Sequence, residues 1–106
     1  MTKRIHIAIA VSDYEASLRE YTGRLGVSPC CTVDGAYALW RTDQVNFSIS
    51  VKPAEAGRLR HLGFEDAGAT GMGEERDVNG VVWERFTIDQ QRAEILRYWP
   101  HATFHD

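Results

Sequence analysis

The hydrophobic residues of the chain fall into short runs, and the first is IHIAIAV, from Ile5 to Val11. This run is apolar and branched, which predicts a strand that is buried on both faces. In the following SDYE, the Ser12 hydroxyl and Glu15 form the pattern of a capping box, so a helix is predicted to begin there. Gly26 is placed to end that helix in the left-handed conformation. The apolar face of the helix is formed by four residues at helical spacing: Tyr14, Leu18, Tyr21 and Leu25.

Three more strands are predicted in the first half of the chain. The segment PCCTVDGAYALWRT contains two short β-prone runs on either side of Asp34 and Gly35, a dipeptide that favours a tight hairpin. After a turn near Asp43, the alternating segment VNFSISV, from Val45 to Val51, predicts another strand. The first half therefore has the predicted order β-α-β-β-β.

The second half repeats this order without the helix. It begins with a strand from about Arg58 to Glu65, headed by a histidine as the first strand is, and continues with the glycine-rich segment DAGATGMG. No Gly-Lys-Ser/Thr follows these glycines, so they do not form a phosphate loop and no nucleotide cofactor is expected. Three strands are predicted after it, at Glu74 to Asp77, Gly80 to Thr87 and Ala93 to Tyr98. The order β-loop-β-β-β indicates an internal duplication.

The predicted fold class is α+β, with two βαβββ-type modules in curled mixed sheets and the helix missing from the second module. The length of 106 residues fits one domain. The first module covers about 1–53 and the second about 57–100, followed by a short C-terminal tail at 101–106. Because the lost helix leaves one sheet face bare, and bare apolar faces are usually buried by a partner, a homodimer is predicted.

Charge and composition narrow the class of protein. The net charge of −3 gives no electrostatic reason to expect binding to nucleic acid or to an anionic membrane. No apolar run approaches the roughly 20 residues of a membrane span, and the first apolar run is too short for a signal peptide. A cytoplasmic protein is expected. The adjacent Cys30 and Cys31 point to opposite faces of a strand, which disfavours a disulfide between them. We interpret them as small hydrophobic residues, with a thiolate pair as the alternative.

Three segments of the chain carry a family resemblance, namely HIAIAVSDYEASLREYTGRLG, GRLRHLGFE and DQQRAEIL. Together they resemble the vicinal oxygen chelate superfamily, which includes glyoxalase I, extradiol dioxygenases and bleomycin-resistance proteins. The last segment resembles a drifted form of the closing turn and glutamate-bearing strand of the family. The resemblance implies two paired βαβββ units whose sheets curl around a shared cavity, which often holds a metal.

The resemblance also implies a set of metal ligands, namely His6, His61 and Glu94. Two neutral imidazoles and a carboxylate suit Fe²⁺, Mn²⁺, Ni²⁺ and Zn²⁺ alike, and they leave positions open for substrate. In glyoxalase I a second carboxylate is expected at about the position of Ser48, which argues against that reaction. The alternative for each histidine is a hydrogen-bonded residue at the end of a strand.

Two classes of function follow from the resemblance. One is a metal-dependent dioxygenase or lyase that acts on a small oxygen-chelating substrate, with no general base assigned. The other is a metal-free protein that binds and sequesters a drug or metabolite, and a shortened chain that has lost its site is a third possibility. Aromatic residues are candidates for the lining of a small-molecule cavity, with core packing as their alternative. With Ser48, the candidate substrate-binding residues are Tyr37, Trp40 and Trp83.

Overall fold

The computed structural model describes residues 3–105, whose strands form one curled, unclosed mixed sheet. The sheet has eight strands. The predicted α+β class is confirmed. The elements are β1 (Lys3–Val11), α1 (Tyr14–Leu25), β2 (Cys31–Val33), β3 (Tyr37–Arg41), β4 (Val45–Val51), a 3₁₀ turn (Pro53–Glu55), β5 (Leu59–Asp66), β6 (Gly73–Arg76), β7 (Val82–Phe86), α2 (Ile88–Tyr98) and β8 (Thr103–Phe104). In the sheet the strands lie in the order β6-β7-β5-β1-β4-β3-β2-β8.

Helix α1 begins one residue later than the capping-box prediction. Asp13, not Ser12, is the N-cap, and its carboxylate accepts a hydrogen bond from the amide of Ala16 at 3.0 Å. An aspartate at this position satisfies an amide that the first helical turn leaves without a partner. Gly26 ends the helix at φ 74°, in the left-handed conformation predicted for it.

The sheet has an internal two-fold relation that follows from the strand pairing. β4 runs parallel to β1, β7 runs parallel to β5, and β1 and β5 pair with each other in antiparallel register. In that central pair His6 lies opposite Gly63, and His61 lies opposite Ala8. The two histidines therefore occupy equivalent places in two related halves, as the predicted duplication requires.

The second half differs from the first in two places. Residues 67–72, between β5 and β6, contain turns and bends but no helix, as predicted. The strand predicted at Ala93 to Tyr98 was wrong, because this segment belongs to α2. Thr87 and Gln90 form a capping box that begins the helix, and Ile88, Ile95 and Trp99 pack on the sheet. Their spacing of seven and four residues is that of a helical face.

The C-terminal tail is partly ordered into the sheet. Thr103 and Phe104 form β8, which pairs with β2, and the His105 ring accepts or donates a hydrogen bond with the Thr32 hydroxyl at 2.7 Å. Met1, Thr2 and Asp106, which the predicted domain and tail include, lie outside the described residues. None of the described helices is long and apolar enough to cross a membrane.

Two hydrophobic cores lie on opposite faces of the first half of the sheet. Ala38 and Trp40 of β3 face α1 together with Ile49. Tyr37 and Leu39, which alternate with them, face α2. Successive residues of a strand point to opposite sides, so β3 contributes to both cores. The face that α2 covers in part is also the face on which the two strand-heading histidines lie.

Candidate metal centre

Three side chains from three neighbouring strands bring ligand atoms together. His6 Nε2 lies 3.0 Å from His61 Nε2, and His61 Nε2 lies 3.1 Å from Glu84 Oε1. His6 Nε2 is 4.0 Å from the same carboxylate oxygen. Among the described residues, these three form the group whose potential ligand atoms all lie within 4.8 Å of one another.

The pairing of β5 with β7 explains why Glu84 reaches the histidines. Glu84 lies beside Gly63, two residues beyond His61, so both side chains are on the same face. A Cβ atom on Gly63 would lie only 2.3 Å from the carbonyl oxygen of Glu84. The close approach of the two strands at this point therefore depends on glycine.

His6 is the most enclosed member of the group. It is 2% exposed, its ring packs edge-on against Phe86 at 5.0 Å, and its Nδ1 lies 2.8 Å from Asn46 Oδ1. Burial lowers the pKa of His6, and the neighbouring His61 acts in the same direction against the opposing effect of the hydrogen bond to Asn46. The neutral imidazole, the form that binds metals, is favoured.

Glu84 remains an anion in this environment. Burial acts to raise its pKa, but the hydrogen bond with His61 and the electrostatic effects of neighbouring groups, Arg60 among them, outweigh burial and lower it. The charged carboxylate is the form that binds a cation. No buried side-chain nitrogen or oxygen among the described residues lacks a hydrogen-bond partner, so the group is also satisfied without an ion.

The donor set fits a divalent transition metal. Bonds of roughly 2.0–2.2 Å to nitrogen and oxygen place adjacent ligand atoms about 3 Å apart and allow no pair beyond about 4.4 Å. The observed separations of 3.0, 3.1 and 4.0 Å satisfy both conditions. Two imidazoles and one carboxylate are also ligands that iron, manganese, nickel and zinc accept.

The three side chains open into a cavity of about 670 Å³ between the sheet and α2. Tyr37 and Ser48, two of the predicted substrate-binding residues, line it. Burial raises the pKa of the Tyr37 hydroxyl despite its hydrogen bond with Ser48, so this group stays protonated. Trp99, at the end of α2, lies 5.0 Å from the Tyr37 ring and adds a second aromatic surface.

Glu94 lines the same cavity but comes from α2 rather than from a strand. It is not among the three residues whose ligand atoms converge. Burial and the charge of Glu84 raise the pKa of its carboxyl group. The structure thus brings His6 and His61 together, places Glu84 beside them, and leaves Glu94 as a second carboxylate in the cavity.

The other two predicted substrate-binding residues lie outside this cavity. Trp40 is fully buried beneath α1, where its indole nitrogen donates to the Thr22 hydroxyl. Trp83 lies on the opposite face of β7, where it stacks on Phe64 at 5.9 Å and donates to Asp77. Both side chains point away from the cavity because residues an odd number of positions apart in a strand lie on opposite faces of the sheet. Tyr37 precedes Trp40 by an odd number of positions, and Trp83 is next to Glu84.

Arg60 reaches the cavity because β5 is irregular there. The pairing of β1 and β5 passes from Ala8–His61 to Ile9–Leu59, so Arg60 is an extra residue in its strand. Bulges of this kind redirect side chains. The guanidinium donates to the Ser50 hydroxyl at 3.1 Å and lines the cavity together with Lys52.

Sequence reasoning missed Glu84, although the pattern contained two signals for it. In VVWERF, Val82, Glu84 and Phe86 alternate on one face, and a carboxylate between two apolar residues indicates a polar partner inside. The duplication gives the second signal, because Ala8 pairs with Ser48 as Gly63 pairs with Glu84. Ser48 and Glu84 are therefore equivalent positions in the two halves.

Comparison with known proteins gave matches only among solved structures. No protein-family model matches the chain, and no curated protein sequence matches it. One matching structure is described as a glyoxalase / bleomycin resistance protein from Catenulispora acidiphila DSM 44928. It has 23% sequence identity and a TM-score of 0.46, over 77% of this chain and 93% of that chain.

Proposed function

We propose that the protein is a divalent-metal-dependent enzyme in which His6, His61 and Glu84 bind the metal. The reaction class we propose is that of a dioxygenase or lyase acting on a small substrate with two adjacent oxygen atoms. The observation that supports this most is the convergence of three ligand atoms within 4.8 Å at the base of a cavity. A bound divalent ion supplies Lewis acidity toward the oxygens of such a substrate.

The residues around the three ligands have separate tasks in this proposal. Phe86 packs against His6 and keeps water from that side of the ring. The protonated Tyr37 hydroxyl can donate a hydrogen bond to a substrate oxygen. Arg60, held by Ser50, has further N–H groups with which to bind an anionic part of the substrate.

The proposal is tested by metal titration of the untagged protein and of three variants. Isothermal titration with Fe²⁺, Mn²⁺, Ni²⁺ and Zn²⁺ should give a dissociation constant below about 1 mM for at least one ion, since structural and catalytic sites of this type bind more tightly than that. His61→Ala and Glu84→Gln should each weaken binding by more than the 10- to 100-fold typical of residues that only support a ligand.

Glu94→Gln is the matched control, because Glu94 also places a carboxylate at the cavity but is not among the three converging residues. We expect this variant to bind metal within about threefold of the wild type, since a carboxylate outside the ligand set acts only through its charge. A loss at Glu94 with none at Glu84 would support the assignment made from the sequence resemblance instead. Binding no better than about 1 mM, unchanged by His61→Ala, would refute a metal site altogether.

A second candidate function is metal-free binding of a flat drug or metabolite. The observation that favours it is the aromatic lining of the cavity, where Tyr37 and Trp99 lie 5.0 Å apart and Tyr98 is 68% exposed. A panel of aromatic and cationic compounds should then raise the melting temperature without added metal. No shift with any compound in the panel would count against this function.

The oligomeric state also belongs to the proposal, and we propose a homodimer. The face of β5 and β7 opposite the cavity is covered by neither of the described helices, and it exposes part of the Phe64–Trp83 stack with Lys3 above the Phe64 ring. A second copy that covered this face would remove apolar surface from water.

A further inference from the structure

A second layer of buried polar side chains lies behind His6 and ends at a charged cluster. Glu65, on β5, is 5% exposed. Its carboxylate accepts two hydrogen bonds from Arg41, each 2.8 Å long, and one from Arg4 at 2.8 Å. The carboxylate is therefore fixed in place by two guanidinium groups.

Asn46 connects this carboxylate to His6. Its amide nitrogen lies 2.9 Å from Glu65 Oε1, and its amide oxygen lies 2.8 Å from His6 Nδ1. A carboxylate accepts hydrogen bonds and does not donate them. The Asn46 nitrogen must therefore face Glu65, and the Asn46 oxygen must face His6.

Gln91 of α2 holds the same amide from the other side. It accepts a hydrogen bond from Asn46 Nδ2 at 2.8 Å and donates one to Asn46 Oδ1 at 3.2 Å. Both residues are buried. The helix that replaced the predicted strand thus supports the orientation that Glu65 imposes.

The orientation of Asn46 determines where the proton of the His6 ring resides. Since Asn46 Oδ1 only accepts, His6 Nδ1 must be the protonated nitrogen. In a neutral imidazole the other nitrogen then has the free lone pair. That nitrogen, Nε2, is the one that faces His61 and Glu84.

We propose that Glu65 is a positioning residue that acts through Asn46 to hold His6 as the Nδ1–H tautomer with Nε2 free to bind a metal. The metal-binding part of this inference rests on the proposed function, whereas the tautomer part does not. Residues that orient a ligating histidine in this way contribute substantially to metal affinity.

The charge state of Glu65 is consistent with this role. Burial disfavours its anion, but the hydrogen bonds from Arg41 and Asn46, with the charges of Arg41 and Arg4, outweigh burial and lower the pKa of the carboxyl group. Glu65 is thus an acceptor at neutral pH.

The decisive variant is Glu65→Gln. The oxygen of the new amide is expected at the Oε2 position, where both neighbours are guanidinium groups, so its nitrogen replaces Oε1 and faces the donating nitrogen of Asn46. Turning over the amides of Asn46 and Gln91 relieves this conflict, but it points the Asn46 nitrogen at His6. The ring must then move its proton to Nε2. We expect two-dimensional ¹H–¹⁵N spectra of the metal-free variant to show His6 as the Nε2–H tautomer, and metal affinity to fall about 10- to 100-fold.

An exchange of acid and amide supplies the rescue. In Glu65→Gln combined with Asn46→Asp, the new carboxylate at position 46 accepts from both His6 Nδ1 and the new amide at position 65, and the net charge is unchanged. The double variant should recover the Nδ1–H tautomer, and metal affinity should return toward that of the wild type, because the carboxylate at position 46 accepts from His6 Nδ1 and cannot donate to it.

Asp66→Asn is the matched control. Asp66 is the next residue of β5, is fully buried and accepts from Arg85 on the opposite face of the sheet. A variant there also removes a buried charge that is paired with arginine, so it tests for loss of stability alone. It should leave the tautomer of His6 unchanged.

Two outcomes separate this inference from the proposed function. If Glu65→Gln keeps the Nδ1–H tautomer and its metal affinity, the positioning role is refuted while the metal site stands. If the wild type binds no metal but the tautomer changes as expected, the positioning role stands and the proposed function fails.

Should Glu65→Gln not fold, Asn46→Leu takes its place. Removing the acceptor should release His6 from the Nδ1–H form, and an unchanged tautomer would refute the proposal.

Discussion

At the scale of single residues, His6 illustrates how burial and hydrogen bonding set the state of one side chain. Its place at the head of an apolar strand is visible in the sequence, and its burial follows from that. Its partners are not visible there, since Asn46, His61 and Glu84 come from other strands. Residue types can therefore indicate a candidate metal ligand, whereas the tautomer and the charge state of that side chain depend on neighbours that are distant in the chain.

The lowered pKa of Glu65 leads to a prediction about stability and pH. A carboxyl group whose folded-state pKa lies below its unfolded value contributes stability that is present above about pH 4.5 and is lost as the pH falls through the folded-state pKa. Glu65→Gln should be less stable than the wild type by about 2 kcal/mol at pH 7, in line with hydrogen bonds to a charged group. This difference should shrink between pH 4.5 and pH 3.

Urea denaturation at several pH values measures this difference. Glu55→Gln is the control, because Glu55 is an exposed residue of the 3₁₀ turn. It should show almost no difference from the wild type at any pH. A deficit for Glu65→Gln that stayed constant from pH 7 to pH 3 would contradict the ionised, hydrogen-bonded state of this carboxylate.

At the scale of elements, local patterns predict some segments well. They fail where one segment fits both the helical period and the alternation of a strand. The strand β4 and the hairpin around Gly35 occur where the alternation and the turn dipeptide predict them. The segment RAEILRYW was misread as a strand because its polar and apolar residues also alternate. The helix that contains it, however, begins with a T-x-x-Q capping box. Helix formation prevailed because Ile88, Ile95 and Trp99 could then pack together on β2 and β3.

The contact between β5 and β7 gives a prediction at this scale. Gly63→Ala places a methyl group at a point only 2.3 Å from the carbonyl oxygen of Glu84, so the strands must separate. We expect a loss of about 1–3 kcal/mol in the free energy of unfolding, the usual cost of overpacking. Displacement of Glu84 should also weaken metal binding.

Gly23→Ala is the appropriate control for this measurement. Gly23 lies within α1, and a methyl group added there would have nothing within 4 Å of it. Because alanine is the better helix former, this variant should be more stable by up to about 1 kcal/mol. Chemical denaturation measures the free energy of unfolding of both variants. A Gly63→Ala protein as stable as the wild type would show that β5 and β7 are not in close contact.

At the scale of the whole molecule, the two halves of the sheet are covered unequally. α1 and α2 lie on opposite faces of the first half. Among the described residues, no helix covers the face of the second half where Phe64 and Trp83 stack. The loss of a helix in one copy of a duplicated unit thus leaves an apolar surface that the other copy does not have.

This surface gives a prediction about the assembly. Size-exclusion chromatography with light scattering at micromolar concentration should give a mass of twice 12.0 kDa. Phe64→Glu should reduce the mass to that of one chain, because a charge in an apolar interface is costly. Leu96→Glu, at an exposed apolar residue of α2, should leave the mass unchanged. A wild-type mass of 12.0 kDa would contradict the dimer.

The sequence by itself determined the strand order of the first half, the first helix, the lack of a helix between β5 and β6, and the two histidines that head equivalent strands. Each of these depends on local periodicity, on turn chemistry or on repetition along the chain. Only the tertiary structure decided that Glu84 lies beside the histidines, that Glu94 lies on a helix and that Trp40 and Trp83 lie away from the cavity. The physical reason is that strand register and parity decide which side chains share a face, and register is set by pairing between segments that are far apart in sequence.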